Sequence, residues 1–320
     1  MKIAVISGIT GQDGAYLAQL LVQKNYRVIG LTRSYGNFKN STFVYLNIVG
    51  KVEIEECDLL DFSSIIKILI KYRPDEFYNL AAQSSVGVSF EQPIGTINYN
   101  TQSLLNILES VRLLKMDTKV YQASSSEMFG EVKSLPVTEK TPLHPLSPYA
   151  ISKASAYWIG INYRESYNIN CANGILFNHE SYLRSPNFFV KKVIRTSLNI
   201  KYKIEDTLHV GNIDVKRDFG YAPDYIEAMW LSLQQDKADD YLICSGKSIY
   251  LRDIINYTFD FLNISPDRLI EDPALFRPTD IQDLYGDNSK AKSLLNWNYD
   301  KSFFDILELL IKEEEAGLKK

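Results

Sequence analysis

The chain of 320 residues is 45% hydrophobic and 23% charged, an average composition for a globular protein. This composition excludes an intrinsically disordered chain, because it supplies enough apolar surface to offset the entropy lost on folding. The 35 basic and 39 acidic side chains give a net charge of −4, so neither a general nucleic-acid binder nor a membrane-surface binder is expected.

The first half of the chain alternates apolar strand-like runs with amphipathic segments. The opening MKIAVISGITGQDG lacks the apolar core of a secretory signal and predicts a strand over 2–7 and then a turn. Leucines at helical spacing predict a helix over 14–26. Further strands are predicted at 27–32, 51–57, 76–81, 119–125 and 171–177, and helices at 63–72 and 98–114. This alternation requires right-handed crossovers, so it predicts an α/β fold with a Rossmann-type doubly wound parallel sheet.

The alternation stops after Phe177. Residues 178–217 mix polar, aromatic and basic side chains with weak strand patterns, and a helix at 225–235 and a strand at 241–245 are expected to return the chain to the sheet. A proline-bearing loop at 272–280 and a final amphipathic helix follow.

Two domains are therefore predicted. A Rossmann domain comprises 1–177 and 220–248, and a smaller, discontinuous α+β domain comprises 178–219 and 249–320. The cleft between two such domains is the natural place for a substrate.

Cysteine and histidine show no pattern of a metal site. Cys57, Cys171 and Cys244 lie far apart, and the chain has only three histidines. We expect no metal, a cytoplasmic enzyme, and chemistry based on tyrosine, lysine, carboxylates or a cofactor.

A glycine-rich turn separates the first strand from the first helix. Its first glycine permits a tight turn, its second lets a phosphate approach the backbone, and its third lets helix and strand pack closely. The start of the helix offers free N–H groups and a positive dipole to an anion. The sequence predicts a dinucleotide site that includes Gly8, Thr10, Gly11, Gln12, Asp13 and Gly14.

The end of the second strand favours NADP over NAD. An acidic residue would hold the ribose 2′-hydroxyl of NAD there, but the chain reads GLTRS at 30–34. Arg33 is able to pair with a 2′-phosphate. After the third strand, Asp58 and Leu59 are expected to contact the adenine.

The segment YAISK places Tyr149 and Lys153 four residues apart on one face of a helix. A tyrosine pKa is normally about 10, which is too high for a base at neutral pH. The lysine ammonium, together with a nicotinamide cation, is expected to lower that pKa, and the lysine is expected to hold the nicotinamide ribose. The segment ASSSE at 123–127 ends a predicted strand, and strand ends of this kind form the active-site crevice. Tyr149 and Lys153 are therefore candidate catalytic residues.

Seven segments carry a resemblance to a known family. They are GITGQDGAYLAQLL (8–21), YNLAAQSSVGVSFEQP (78–93), YQASSSEMFG (121–130), SPYAISKASAYWIGINYRESY (147–167), NGILFNHES (173–181), KRDFGYAPDYIEAMW (216–230) and DPALFRP (272–278). On these residues the chain resembles the GDP-mannose 4,6-dehydratases of the extended short-chain dehydrogenase/reductase superfamily over nearly its whole length.

The resemblance implies a redox-neutral conversion of GDP-mannose to GDP-4-keto-6-deoxymannose, with NADP retained and recycled. Tyr149 would take the proton of the sugar 4-hydroxyl while hydride leaves carbon 4 for the cofactor, later to be returned to carbon 6. Glu127 would remove the proton on carbon 5 and then protonate the departing 6-hydroxyl. Ser125, where the family has threonine, would hold the 4-oxygen and relay its proton.

The resemblance also implies further contacts, in which the Rossmann domain binds NADP and the smaller domain binds the GDP-sugar. Cofactor contacts are expected from Leu80, Ala82 and Ser84. Substrate contacts are expected from Ser84, Ser125, Glu127, Asn178, Glu180, Lys192, Arg217 and Arg277. His179 is expected to be buried and structural, and it is not counted as catalytic.

Two departures from the family pattern leave alternatives open. After Ser181 the family has a proline and two arginines, whereas this chain reads YLRSP at 182–186. Another GDP-hexose, such as an N-acetylglucosamine or heptose derivative, is therefore an alternative substrate. A double arginine that is linked in the family to contacts between subunits is reduced to Arg33 and Ser34, so the expectation is a homodimer or a homotetramer.

Other activities also remain open. Related sugar-nucleotide epimerases, reductases and decarboxylases share the glycine turn and the tyrosine–lysine pair. A catalytically idle, dinucleotide-sensing regulator on the same scaffold is the alternative from another functional class.

Overall fold

A seven-stranded parallel sheet forms the centre of the structure, a computed structural model that describes residues 1–35 and 41–318. Its strands are β1 (Ile3–Ser7), β2 (Arg27–Thr32), β3 (Val52–Glu56), β4 (Glu76–Asn79), β5 (Lys119–Ser125), β6 (Cys171–Leu176) and β10 (Asp240–Ile243). The strand order is β10-β6-β5-β4-β1-β2-β3, and every neighbouring pair is parallel. The predicted Rossmann-type sheet is confirmed. Its order reverses between β1 and β4, where a crevice forms beyond the carboxyl ends of the strands.

Helices cover both faces of this sheet. They are α1 (Gln12–Gln23), α2 (Ser41–Tyr45), α3 (Phe62–Tyr72), α4 (Val86–Glu91), α5 (Pro93–Leu113), α6 (Pro148–Tyr167), α8 (Ala222–Gln234) and α10 (Ser289–Leu295). On one face α1 and α8 pack against Tyr78 and Tyr121. On the other face α3 and α5 pack against Phe77 and Val120. Successive side chains of the strands are therefore buried on both faces, as a parallel sheet requires.

A second layer follows the large sheet. Its strands are β7 (Asn178–Glu180), β8 (Leu208–Val210), β9 (Lys216–Tyr221), β11 (Ser248–Tyr250) and β12 (Leu269–Glu271), and its helices are α7 (Phe189–Lys201), α9 (Leu251–Leu262) and α11 (Phe303–Leu318). The strands form a three-stranded sheet in the order β11-β9-β7 and a β12-β8 pair. The three helices bury a separate apolar core between them.

A buried carboxylate joins the two sheets. Asp218 of β9 accepts hydrogen bonds from the backbone N–H groups of Ser245 (2.8 Å) and Gly246 (3.0 Å), which lie two and three residues after the end of β10. This contact fixes β9, and with it the neighbouring Arg217, relative to the end of the large sheet.

Two helices begin earlier than the sequence predicts. Gly11 is the N-cap of α1, so Gln12 and Asp13 belong to its first turn. Helix α5 begins at Pro93, because proline is well suited to the first helical position.

The predicted domain division stays a prediction, and one helix crosses it. Helix α10 falls in the segment assigned to the second domain, but it packs against α8 and β10, and its Ala291 and Leu295 join the core of the large sheet. Residues 36–40 and 319–320, which the predicted domains include, lie outside the described residues. No helix within 1–35 and 41–318 is long and apolar enough to cross a bilayer.

Candidate active site

A cavity of about 1070 Å³ opens at the carboxyl ends of the strands of the large sheet. The glycine turn bounds it on one side, and the loops after β4, β5 and β6 bound it on the other. A smaller cavity of about 190 Å³ adjoins it toward the second layer and shares Glu127, Asn178, Arg184 and Arg277 with it. The two cavities are candidates for the predicted substrate cleft, and binding of a substrate there stays a prediction.

The glycine turn forms a cradle lined by backbone. Gly8 has a φ of +72°, and a Cβ atom on Gly14 would lie 2.3 Å from the carbonyl oxygen of Gly8. Glycine is therefore required at both positions. The turn and the first residues of α1 line the larger cavity. This concave surface at a helix N-terminus fits the diphosphate of a dinucleotide.

Three candidate catalytic side chains meet at the end of β5. The Ser125 hydroxyl accepts a hydrogen bond from the backbone N–H of Glu127 (3.3 Å) and pairs with the phenol of Tyr149. Tyr149 lies in the first turn of α6, which is capped by the Ser147 hydroxyl. All three candidates line the larger cavity. A phenol, a hydroxyl and a carboxylate are thus able to reach one bound molecule.

The fourth candidate, Lys153, is buried below Tyr149. Its side-chain Nζ donates to the carbonyl oxygen of Ala123 (2.8 Å) and lies 5.9 Å from the centroid of the Tyr149 ring. Burial lowers the pKa of Lys153 to about 8, against the opposing effect of the Asp13 carboxylate. Lys153 therefore loses its charge much closer to neutral pH than an ordinary lysine does.

In the protein alone, the pKa of Tyr149 is shifted upward. Burial raises it to about 12, the Ser125 hydrogen bond lowers it, and the charge of Glu127 raises it further. The lowering expected from Lys153 together with a nicotinamide cation concerns the cofactor complex and stays a prediction. The lysine ammonium is directed at a carbonyl oxygen, and the loss of water around the phenol dominates.

Sequence reasoning missed Asn100. This buried side chain donates from Nδ2 to the Ser152 hydroxyl (2.9 Å) and to the carbonyl oxygen of Gln83 (3.0 Å), and its Oδ1 accepts from the N–H of Gln83 (2.9 Å). It ties the loop after β4 to α6, close to Tyr149. An asparagine on the apolar face of the helix predicted at 98–114 was the available signal.

The loop after β4 leaves Ser84 directed to the cavity. Ser85, not Ser84, is the N-cap of α4, and its hydroxyl accepts from the backbone N–H of Val88 (3.3 Å). Ser84 is exposed and lines the larger cavity together with Leu80 and Ala82. It is therefore available to a bound molecule.

Of the three residues predicted to contact the adenine and its ribose, two line the larger cavity and one does not. Arg33 and Leu59 line the larger cavity, and the Arg33 guanidinium carbon lies 5.7 Å from the centroid of the Tyr99 ring. Asp58 is exposed outside that lining. Its carboxylate accepts from the backbone N–H of Leu60 (3.0 Å), so it shapes the loop after β3.

On the substrate side, Asn178, Glu180, Arg217 and Arg277 line the smaller cavity. The terminal nitrogens of Arg217 donate to the carbonyl oxygens of Lys216 and Ile281 and to the carboxylate of Asp280 (2.6 Å). Its Nε lies 4.0 Å from Oε1 of Glu127. Arg217 is thus held by the protein in a position that faces Glu127.

Lys192 is not brought into the site. It lines neither of the two cavities, and its Nζ donates to the carbonyl oxygen of His209 (2.7 Å) beside β8. The helix that carries it, α7, directs this side chain toward the second layer.

Arg184 is the cation that the loop after β7 supplies to the site. It lines both cavities, its Nε lies 3.4 Å from Oε1 of Glu180, and its guanidinium carbon lies 3.7 Å from the centroid of the Phe188 ring. In the sequence, Arg184 stands out only as part of the loop at 182–186 that departs from the family pattern.

Sequence relatives identify the family of the chain. The model of the family described as GDP-mannose 4,6 dehydratase matches residues 5–310. The chain belongs to this family. It is 43% identical to GDP-mannose 4,6 dehydratase 1 of Arabidopsis thaliana, over 98% of this chain and 90% of the relative. It is 40% identical to the GDP-mannose 4,6-dehydratase of Yersinia enterocolitica, over 93% and 89% of the two chains.

The fold of the family member also matches solved structures. A dTDP-glucose 4,6-dehydratase of Streptomyces venezuelae, solved with NAD bound, superposes with a TM-score of 0.89 at 20% identity, covering 99% of this chain and 98% of that one. At that identity the likeness concerns the fold.

Proposed function

We propose that this family member is a nucleotide-sugar 4,6-dehydratase, an NADP-retaining lyase that converts GDP-mannose to GDP-4-keto-6-deoxymannose. The observation that carries the proposal is the meeting of Ser125, Glu127 and Tyr149 at the cavity beside the glycine turn. A reductase needs only the proton-transferring phenol, whereas loss of water also needs a group that removes one proton and delivers another. Glu127 supplies that group.

The first half of the reaction depends on Tyr149 and Ser125. NADP, when bound, would supply the hydride acceptor for carbon 4 of the sugar and the hydride donor for carbon 6. Tyr149 receives the proton of the 4-hydroxyl through the Ser125 hydroxyl. Burial raises the pKa of this phenol, and the Ser125 hydrogen bond is the main opposing effect. The phenol of the protein alone therefore stays protonated at neutral pH, and it would accept this proton as a phenolate once a positive nicotinamide ring bound beside it lowers its pKa.

The elimination depends on Glu127. The ketone at carbon 4 acidifies the proton on carbon 5, Glu127 removes it, and the protonated carboxyl then donates it to the 6-oxygen, which leaves as water. The return of hydride to carbon 6 requires a new proton at carbon 5, and the proton that Tyr149 received from the 4-hydroxyl would balance it. The Nε of Arg217 lies 4.0 Å from this carboxylate, which lines both cavities. The 18% exposure of the Glu127 side chain leaves it open to a substrate.

The proposed cofactor is NADP. The glycine turn would hold its diphosphate, Lys153 its nicotinamide ribose, and Arg33 its 2′-phosphate. Arg33 supports this choice because it is exposed at the end of β2 and lines the same cavity as the turn. Tighter binding of NAD than of NADP would contradict it.

GDP-mannose is the proposed substrate because of the family to which the chain belongs. One local observation favours a GDP-hexose other than GDP-mannose. Leu183, at a position where the family has arginine, lines the larger cavity. A panel of GDP-hexoses decides between them. A homodimer or homotetramer and a cytoplasmic location stay predictions.

The test is incubation of the protein with GDP-mannose and a catalytic amount of NADP. We expect a 4-keto-6-deoxy product without net NADPH formation. Glu127→Gln should lower kcat by roughly 100-fold or more, the usual contribution of a general acid–base group, while NADP affinity is kept. Glu131→Gln, an exposed carboxylate of the following loop, is the matched control. Normal turnover of Glu127→Gln would contradict the mechanism.

A further inference from the structure

Asp13 and His179 connect the glycine turn to the substrate strand β7. The Nε2 atom of His179 lies 3.0 Å from both carboxylate oxygens of Asp13. Its Nδ1 atom lies 2.6 Å from the carbonyl oxygen of Phe177. The His179 side chain is 8% exposed, and that of Asp13, which lines the larger cavity, is 22% exposed.

The partners of His179 determine its protonation. A backbone carbonyl oxygen only accepts hydrogen bonds, and so does an ionised carboxylate. Both ring nitrogens must therefore carry hydrogen, which makes the ring an imidazolium. Burial lowers the pKa of His179, but Asp13 and the Phe177 carbonyl outweigh burial and raise it above its ordinary value. Burial likewise raises the pKa of Asp13, but His179 is the largest opposing effect and brings it to about 2.

The charge on Asp13 needs a partner because of where it lies. It is in the first turn of α1, beside the cradle that fits an anionic diphosphate. An unpaired carboxylate would repel that ligand. The same carboxylate raises the pKa values of Tyr149 and Lys153, on which burial is the largest influence. A cation at His179 therefore affects both cofactor binding and proton transfer.

Gln12 strengthens the same connection. Its Nε2 donates to the carbonyl oxygen of His179 (3.1 Å) and to Oδ1 of Asp13 (3.0 Å), and its Oε1 accepts from the Ser181 hydroxyl (2.7 Å). The start of α1 is thus hydrogen-bonded to the side chain and backbone of the strand that carries Asn178 and Glu180.

Among the described residues, Arg184, Glu180 and Tyr225 also lie near His179. Arg184, from the loop after β7, opposes its protonation. Glu180 of β7 is buried nearby, and burial raises the pKa of that carboxyl. The Tyr225 ring of α8 packs on the imidazole with centroids 5.1 Å apart. Asp13 remains the carboxylate in direct contact with the ring.

We infer that His179 is a positioning residue that stays an imidazolium through neutral pH, neutralises Asp13 beside the dinucleotide site and fixes β7 to the glycine turn. Its effect on turnover rests on the proposed function. Its protonation state does not, so the two are tested separately.

The first test is the protonation of His179 by ¹⁵N NMR of the intact chain, which has only three histidines. We expect one imidazole to keep both nitrogens protonated at pH 8, and His179→Gln to remove that signal. Asp13→Asn should lower the pKa of His179 by about 1 to 3 pH units. A neutral His179 tautomer in the wild type at pH 7 would overturn the inference, whether or not the protein acts on GDP-mannose.

The second test is dinucleotide affinity, measured for both NADP and NAD. His179→Gln should weaken binding about tenfold because the Asp13 charge is left uncompensated. The double variant Asp13→Asn/His179→Gln should recover most of this loss, since both charges are then absent. His144→Gln, at an exposed position, is the matched control. Where turnover is measurable, the pH profile of kcat in His179→Gln should shift to higher pH, because the uncompensated Asp13 charge raises the pKa of Tyr149. A variant that only lost stability would not show this shift. Equal losses in the single and double variants would contradict the inference.

Discussion

Buried titratable groups give the site its pH response. Lys153 is 5% exposed, and burial lowers its pKa to about 8 even with Asp13 nearby. The ammonium is therefore present below about pH 8 and is lost above it. A ligand that contacts this charge must bind more weakly as the pH rises, because its complex holds a proton that the free protein has released.

We expect NADP affinity to fall as the pH rises through about 8, by up to about tenfold per pH unit. Lys153→Met should bind NADP more weakly and lose the part of the pH dependence that is centred there. Titration calorimetry between pH 6 and pH 9.5 measures both effects, and Lys67→Met, an exposed lysine of α3, is the control. A wild-type affinity that does not change over this range would exclude contact between Lys153 and the cofactor.

At the scale of elements, the join between β1 and α1 is the most constrained piece of backbone at the site. The first turn of α1 can follow β1 closely only because Gly14 has no side chain beside the carbonyl group of Gly8. The same join places Gln12 and Asp13 against β7. A change here should affect stability and ligand binding together.

We predict that Gly14→Ala destabilises the fold by roughly 1–3 kcal/mol, as overpacking does, and abolishes dinucleotide binding. The new Cβ would lie 2.3 Å from the Gly8 carbonyl oxygen, and the turn would have to shift. Gly87→Ala in α4 meets only the Ser85 hydroxyl at 3.9 Å and should be neutral or slightly stabilising. Denaturant unfolding and NADP titration of both variants provide the comparison. Undiminished NADP binding by Gly14→Ala would contradict the assignment of the turn.

Sequence patterns predicted the elements whose signals are local. The run 119–125 has the bounds of β5, and the residues after it supply Ser125 and Glu127 to the site. Strands β7 and β8 have three residues each, too few for an alternating pattern. β8 pairs with β12, some 60 residues later, so no local signal marks it.

At the scale of the whole molecule, the site depends on side chains from separate segments. Asp218 holds β9 against the end of the large sheet, and this brings Arg217 to within 4.0 Å of Glu127. From the sequence, Arg217 was predicted to contact the substrate, but its ion pair with Asp280 was not predicted. That ion pair depends on the packing of the second layer against the large sheet. Lys192 was misplaced for the same reason, since the direction of a helical side chain follows from the packing of its helix.

The mechanism requires that, within one cavity, a hydride moves from carbon 4 to carbon 6 of the same hexose while water is lost. The direct measurement uses GDP-mannose labelled with deuterium at carbon 4, incubated with the wild-type chain and catalytic NADP, and NMR of the product. We predict a 4-keto-6-deoxy sugar that carries the deuterium at carbon 6. Deuterium that is retained at carbon 4 or lost to solvent would contradict this account.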